Sequence, residues 1–163
     1  MKNQLNVFTL GYYSWRIPRN WPHNIKNFFR TIKWGWQRAT KGYCTWDLWD
    51  LDSHLIQLLP TALRDFKKDN IGHPAELTPE EWDKIIDEMI DHFEKAYLYI
   101  YSPEKYCESY DTYKATLPDI NSEAHEAACD LFFQEEVKIL KEGYEHLNQG
   151  MDLLKDWMPH LWW

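Results

Sequence analysis

From Phe133 to Met158 the apolar residues Phe133, Val137, Leu140, Tyr144, Leu147, Met151, Leu154 and Met158 recur in alternating steps of four and three. A period of about 3.5 residues is the seam of a long helix packed nearly parallel or antiparallel to a neighbour. Such a helix cannot bury its stripe alone, so the rest of the chain must supply other helices. Gly143 and Gly150 interrupt it at a cost of about 1 kcal/mol each, and its start is expected near Asn121 or Ser122.

The partners are legible. Pro22 suits a first helical position, and Ile25, Phe28, Phe29, Ile32 and Trp36 share one face of a helix predicted from Trp21 to about Ala39, ending before Gly42. Thr45 is the expected N-cap of a helix over 46–69, with Leu48, Leu51, Leu55, Leu59, Leu63 and Phe66 as its stripe. Pro60 should kink or interrupt that helix by removing a backbone bond and crowding the carbonyl of Ile56. Thr78-Pro79-Glu80-Glu81 spells a capping box, and Trp82, Ile86, Met89, Phe93, Ala96 and Ile100 follow at helical steps. A shorter helical segment restarts at Ser102-Pro103, carries Tyr106, Tyr110 and Tyr113, and ends at Pro118. Residues 1–20 lack helical periodicity and read as an irregular arm, with a short strand at Leu5–Tyr13. The expectation is an all-α, single-domain bundle of about four to five helices over 21–163, preceded by that arm.

Charge is spread unevenly. Lys2, Arg16, Arg19, Lys26, Arg30, Lys33, Arg38 and Lys41 lie in the first 46 residues, which hold no Asp or Glu, although the whole chain is at −8. At the average acid density about seven carboxylates would be expected there. Either this segment lies against the protein's own acidic remainder, or it offers an anion-binding surface for phosphate, nucleotide, nucleic acid or an anionic membrane. Aromatic and basic residues also interleave, as in Trp15-Arg16, Phe29-Arg30, Lys33-Trp34 and Trp36-Gln37-Arg38. Rings stack on bases and guanidinium groups pair phosphates, although most such rings in a helical protein belong to its core.

Other chemistry finds less support. Cys44, Cys107 and Cys129 stand at unrelated spacings, so neither a disulfide framework nor a CxxC site can be written, and a reducing compartment is expected. There is no signal-peptide pattern and no membrane-spanning run, which suggests a soluble, cytoplasmic protein. Asp47, Asp50 and His54 share a helix face, and His125 and Cys129 lie one turn apart, but neither set reaches three or four converging ligands. No metal and no cofactor is expected. GxSxG, P-loop, GxGxxG and HExxH patterns are missing, so no catalytic residue is assigned and a hydrolase built on Asp47 or Asp52 with His54 is the weaker reading.

On the predicted second helix Asp52 falls inside the apolar stripe, where a carboxylate needs a cation. Arg38 and Lys41 are the nearest. They make either an internal tie between helices or a polar pocket walled by Gln37, Arg38 and Asp52.

The blocks Trp36-Gln37-Arg38 with Gly42-Tyr43, Asp47-Leu48-Trp49-Asp50-Leu51-Asp52, His73-Pro74, Leu77–Asp83, Asp152-Leu153-Leu154-Lys155 and Leu161-Trp162 together resemble a family of small uncharacterised proteins of bacteriophages and prophages. The resemblance implies a viral setting in a host cytoplasm and carries no activity. Joined to the charge pattern, it leads to an expected non-enzymatic binding protein. Its ligand would be nucleotide-like, such as a host immune signal, or another anionic host component. The contacts expected are Trp36, Gln37, Arg38, Lys41, Tyr43, Arg30, Lys33 and Asp52, with Asp52 orienting Arg38. Nucleic acid, a host protein and a second copy of the chain are the alternative partners.

Overall fold

The structure, a computed structural model, describes residues 21–69 and 72–161, with side chains from Ile25 onward. The expected arm and its strand lie outside the described residues. Those residues are all-α. Five helices follow in order: α1 Trp21–Lys41, α2 Leu51–Asp69, α3 Pro79–Tyr101, α4 Tyr110–Thr116 and α5 Glu123–Trp157. The chain divides between Leu51 and Asp52 into two compact units.

In the first unit α1 runs to Lys41 and stops where Gly42 takes φ +80°, a left-handed conformation that suits glycine at a helix end. The next helix starts later than expected. Residues 45–50 are turns, with Asp47 N–H bonded to the Cys44 carbonyl and Trp49 N–H to that of Trp46. The reason is local: the Asp47 carboxylate accepts the Cys44 N–H at 2.7 Å, an arrangement that holds the tight turn.

The second unit is a helical bundle. Its core joins Leu63 of α2, Trp82, Ile86, Met89, Ile90 and Phe93 of α3, and Leu154 of α5. The capping box forms in full: the Glu81 N–H donates to Thr78 Oγ1, and the Thr78 N–H donates to Glu81 Oε2 at 2.8 Å. Of the kink or interruption expected at Pro60, the interruption does not occur, since α2 continues through it. Pro60 is buried on the same face as Ile56 and Leu63, and that burial offsets the backbone bond it removes. The α2 stripe is also displaced. Leu51 and Leu55 are exposed, while Ile56, Pro60 and Leu63 are buried.

The long helix begins at Ser122, whose hydroxyl accepts the His125 N–H as an N-cap. Its period is as expected, and part of the expected stripe faces the core, with Leu154 buried and Leu147 packed against it. Phe132, Gly143 and Gly150 are buried, whereas Phe133, Val137, Tyr144, Met151 and Met158 are exposed. The buried glycines mark close contacts with α3. A Cβ on Gly143 would come within 2.9 Å of Ile100 Cγ1 and Tyr99 Cβ, and one on Gly150 within 3.2 Å of Phe93 Cε1. At Gly143 a side chain would force α3 or α5 to shift, and at Gly150 it would press on Phe93 and His92. Rising numbers on α5 meet falling numbers on α3, so the pair is antiparallel.

Candidate functional site

The residues singled out by sequence fall into three groups. Arg38 and Gln37 are used by the fold itself. Arg38 donates from Nε to Asp47 Oδ2 at 2.9 Å and from Nη2 to Asp47 Oδ1, a two-pronged pair on a buried carboxylate. Burial alone would raise the Asp47 pKa, but Arg38 and the Cys44 N–H outweigh it and bring the carboxyl down to about 2. The hydrogen bond to Asp47 in turn raises the Arg38 guanidinium pKa. Gln37 Oε1 accepts both the N–H and the hydroxyl of Thr45 at 3.1 Å. Together these bonds clamp the turns of residues 45–50 onto the last part of α1.

Asp52 is a correction. It does not orient Arg38; Asp47 does. Asp52 is exposed and accepts the Tyr101 hydroxyl at 2.6 Å, a bond that lowers its pKa. The expected location rested on a helix that began at residue 46; once 45–50 become turns, Asp47 is buried and Asp52 falls in the first turn of the real helix.

The remaining candidates form an exposed surface. Lys33, Lys41, Arg30, Trp36 and Tyr43 are all exposed, Trp36 to 71%. Lys26 joins them. Among the described residues none of Lys26, Arg30, Lys33 and Lys41 is in an ion pair. The Arg30 guanidinium instead lies 4.8 Å from the centre of the Trp34 ring.

Sequence reasoning missed one part of this surface. In the sequence Ile25, Phe28, Phe29 and Ile32 form the apolar face of α1, and each is about half exposed or more. Trp49, in the turns, is 83% exposed. At about 100° per residue, Ile25, Phe28, Phe29, Ile32 and Trp36 fill one arc of α1. Trp34 lies opposite, buried and tilted against Trp46 at 5.5 Å. The helix thus covers its minority face and leaves its apolar arc outward, with Lys26 and Lys33 along one flank.

Two polar clusters lie in the second unit. The Thr116 hydroxyl donates to the Tyr113 carbonyl at 2.8 Å, so it accepts from His125 Nδ1 at 2.9 Å. That fixes the tautomer and leaves His125 Nε2 to accept from the Cys129 thiol at 3.3 Å. Further along α5, His146 meets His92 of α3 through their Nδ1 atoms at 2.9 Å, one imidazole donating to the other. Burial, with His92 and Lys95 nearby, lowers the His146 pKa. Among the described residues no group of three or more His, Cys, Asp or Glu side chains could hold a metal ion. None of their helices is long and apolar enough to cross a membrane.

Comparison with models of known families, with curated proteins and with solved structures finds no match to this chain.

Proposed function

We propose that this chain is a phage-encoded, non-enzymatic binding protein that takes an anionic, phosphate-bearing partner through the basic aromatic surface of α1. The viral setting and host cytoplasm follow from the resemblance of the Trp36–Asp52 block. One observation carries the binding role: Lys26, Arg30, Lys33 and Lys41 are exposed, unpaired among the described residues, and side by side with exposed rings. Cations at this spacing with no carboxylate of their own attract phosphate, and the attraction weakens as salt screens it. Arg38 and Gln37 leave the list of ligand contacts, since both are spent on holding Asp47 and Thr45. A nucleotide-like signal, a nucleic acid and a phosphorylated surface all offer the required charge.

The test is a titration of the full chain with nucleotides, cyclic oligonucleotides, single-stranded oligonucleotide and anionic vesicles, at low and high salt. Binding to at least one class, lost with salt and with the four cations changed to Gln, is expected. Silence towards all of them overturns the proposal.

A protein partner or a second copy is favoured by a different feature, the outward column Phe133, Val137, Tyr144 and Met151 on α5, with Met158 just beyond it. Sedimentation that shows a strict monomer at high concentration removes the self-association version.

A further inference from the structure

We infer that the partner taken by α1 is an anionic phospholipid surface, on which the helix lies flat with Ile25, Phe28, Phe29, Ile32 and Trp36 turned into the acyl region. The inference rests on the preceding reading that α1 is the binding surface, and it names the partner's class.

Three features select lipid among phosphate-bearing partners. The first is the chemistry of the exposed arc. Base stacking uses separate flat rings, whereas here two isoleucines share the arc, and Phe28 and Phe29 meet edge to face at 5.8 Å. Aliphatic side chains and edge-packed rings suit hydrocarbon. The second is shape. A free nucleotide is held in a concave pocket that covers most of it, and these side chains, from about half to 71% exposed, stand on one outer helix face.

The third feature is the order of groups around the helix. With the apolar arc facing down, Lys26 and Lys33 sit at its edge, level with headgroups, whereas Arg30, over the Trp34 ring, and Lys41 lie towards the far side of the helix. Trp34 and Arg38 point away from the surface, tied to Trp46 and Asp47, so the 45–50 turns stand on the far side of α1 and leave the arc clear. A helix with Lys and Arg on its polar side, Phe and Trp on the other and no acidic residue binds in the plane of an anionic interface. A groove on a protein would have to supply its own carboxylates along that one flank; a bilayer carries anionic charge everywhere.

The experiment is co-sedimentation of the full chain with vesicles of phosphatidylcholine alone and of equimolar phosphatidylcholine and phosphatidylglycerol, read alongside tryptophan fluorescence. Binding to the anionic vesicles with a blue shift, and little to the neutral ones, is expected. Each exposed cation near such a surface contributes about fivefold. The variant carrying Lys26→Gln, Arg30→Gln, Lys33→Gln and Lys41→Gln should therefore lose at least about 25-fold in partitioning, the share of Lys26 and Lys33. The double variant Phe29→Ser, Ile32→Ser should lose the blue shift. All changed side chains are exposed, and unchanged circular dichroism and melting certify the fold. Should either variant misfold, raising salt on the parent protein gives the same reading of the charge contribution. Absence of binding to anionic vesicles, or equal binding by the variants, overturns the lipid assignment. If a nucleotide or oligonucleotide still binds in that case, the anionic-partner reading survives and only its lipid form fails. If nothing binds, both fall.

Discussion

Helices α1 and α3 carry comparable apolar faces, yet they put them to opposite uses. On α3, Trp82, Ile86, Met89, Phe93 and Ala96 are buried, and α5 closes over them at Gly143 and Gly150. On α1 the apolar arc stays outside, and the side turned inward holds Trp34 with an ion pair. Apolar periodicity thus says which residues can be covered, and it is silent on whether this chain covers them. What distinguishes the two is the neighbour. A pair of glycines lets α5 come within contact of α3, whereas α1 is fastened to its turns by Arg38, Gln37 and Trp34 on the face away from the arc.

The largest effect should come from the closed side. Phe93 is fully buried in the core and lies against Gly150. Phe93→Ala should destabilise the protein by about 4 kcal/mol in urea unfolding, the usual cost of deleting a buried ring. A loss below about 1 kcal/mol would mean that the α3–α5 contact is loose, and the contrast with α1 would disappear.

Asp47 is the corresponding pin of the first unit. Asp47→Asn leaves a guanidinium mostly covered and without its counter-charge, at a cost of about 3 kcal/mol. The loss should be read as faster amide exchange along α1. The wild type offers a second reading through pH. The Asp47 carboxyl falls from 3.8 to about 2 on folding, so its contribution is complete above pH 3.8 and is lost as the pH drops from there towards 2. That linkage amounts to about 2 kcal/mol at about 1.4 kcal/mol per pH unit. Acid unfolding of the Asp47→Asn protein should lack this component, and a profile unchanged by the substitution would show that Arg38 does not depend on Asp47.

Gly143→Ala comes third. Its new Cβ would press on Ile100 and Tyr99, and the resulting separation of the helices should cost about 1–2 kcal/mol. That strain must exceed the gain of about 1 kcal/mol that alanine brings to a helix interior. A stabilised variant would place α3 and α5 further apart than the glycine contacts require.

These sites also mark what the sequence could convey. The capping box at Thr78 was legible because every atom that makes it belongs to four consecutive residues. The period of α5 was legible too, and so was the part of its stripe that holds Leu147 and Leu154, but the rest was not. Counting apolar side chains favours Phe133, Val137 and Tyr144, while the helix turns Gly143 and Gly150 inward because backbone contact there outweighs their missing side chains. Arg38 plainly needed a carboxylate, and the choice between Asp47 and Asp52 depended on where α2 begins. That start is set by the Cys44 N–H bond to Asp47, a contact that no hydrophobic pattern encodes. The exposed arc of α1 was hidden for a related reason: on a wheel it is indistinguishable from a core-facing stripe. The one hint was that its flanking cations had no acidic residue within reach along the chain.

The smallest expected effect is also the sharpest comparison. Ile32 sits at the middle of the α1 arc and is 53% exposed, whereas Ile86 on α3 is buried. Ile32→Ser removes apolar surface that the fold does not use, so unfolding should shift by no more than about 0.5 kcal/mol, the range of ordinary surface substitutions. Ile86→Ser removes packing and buries a hydroxyl, and should cost several times as much. If the two costs turn out equal, some part of the chain covers Ile32, and the arc is interior after all. If they differ as expected while vesicle binding is lost in Ile32→Ser alone, the same side-chain type has been assigned to stability on one helix and to recognition on the other.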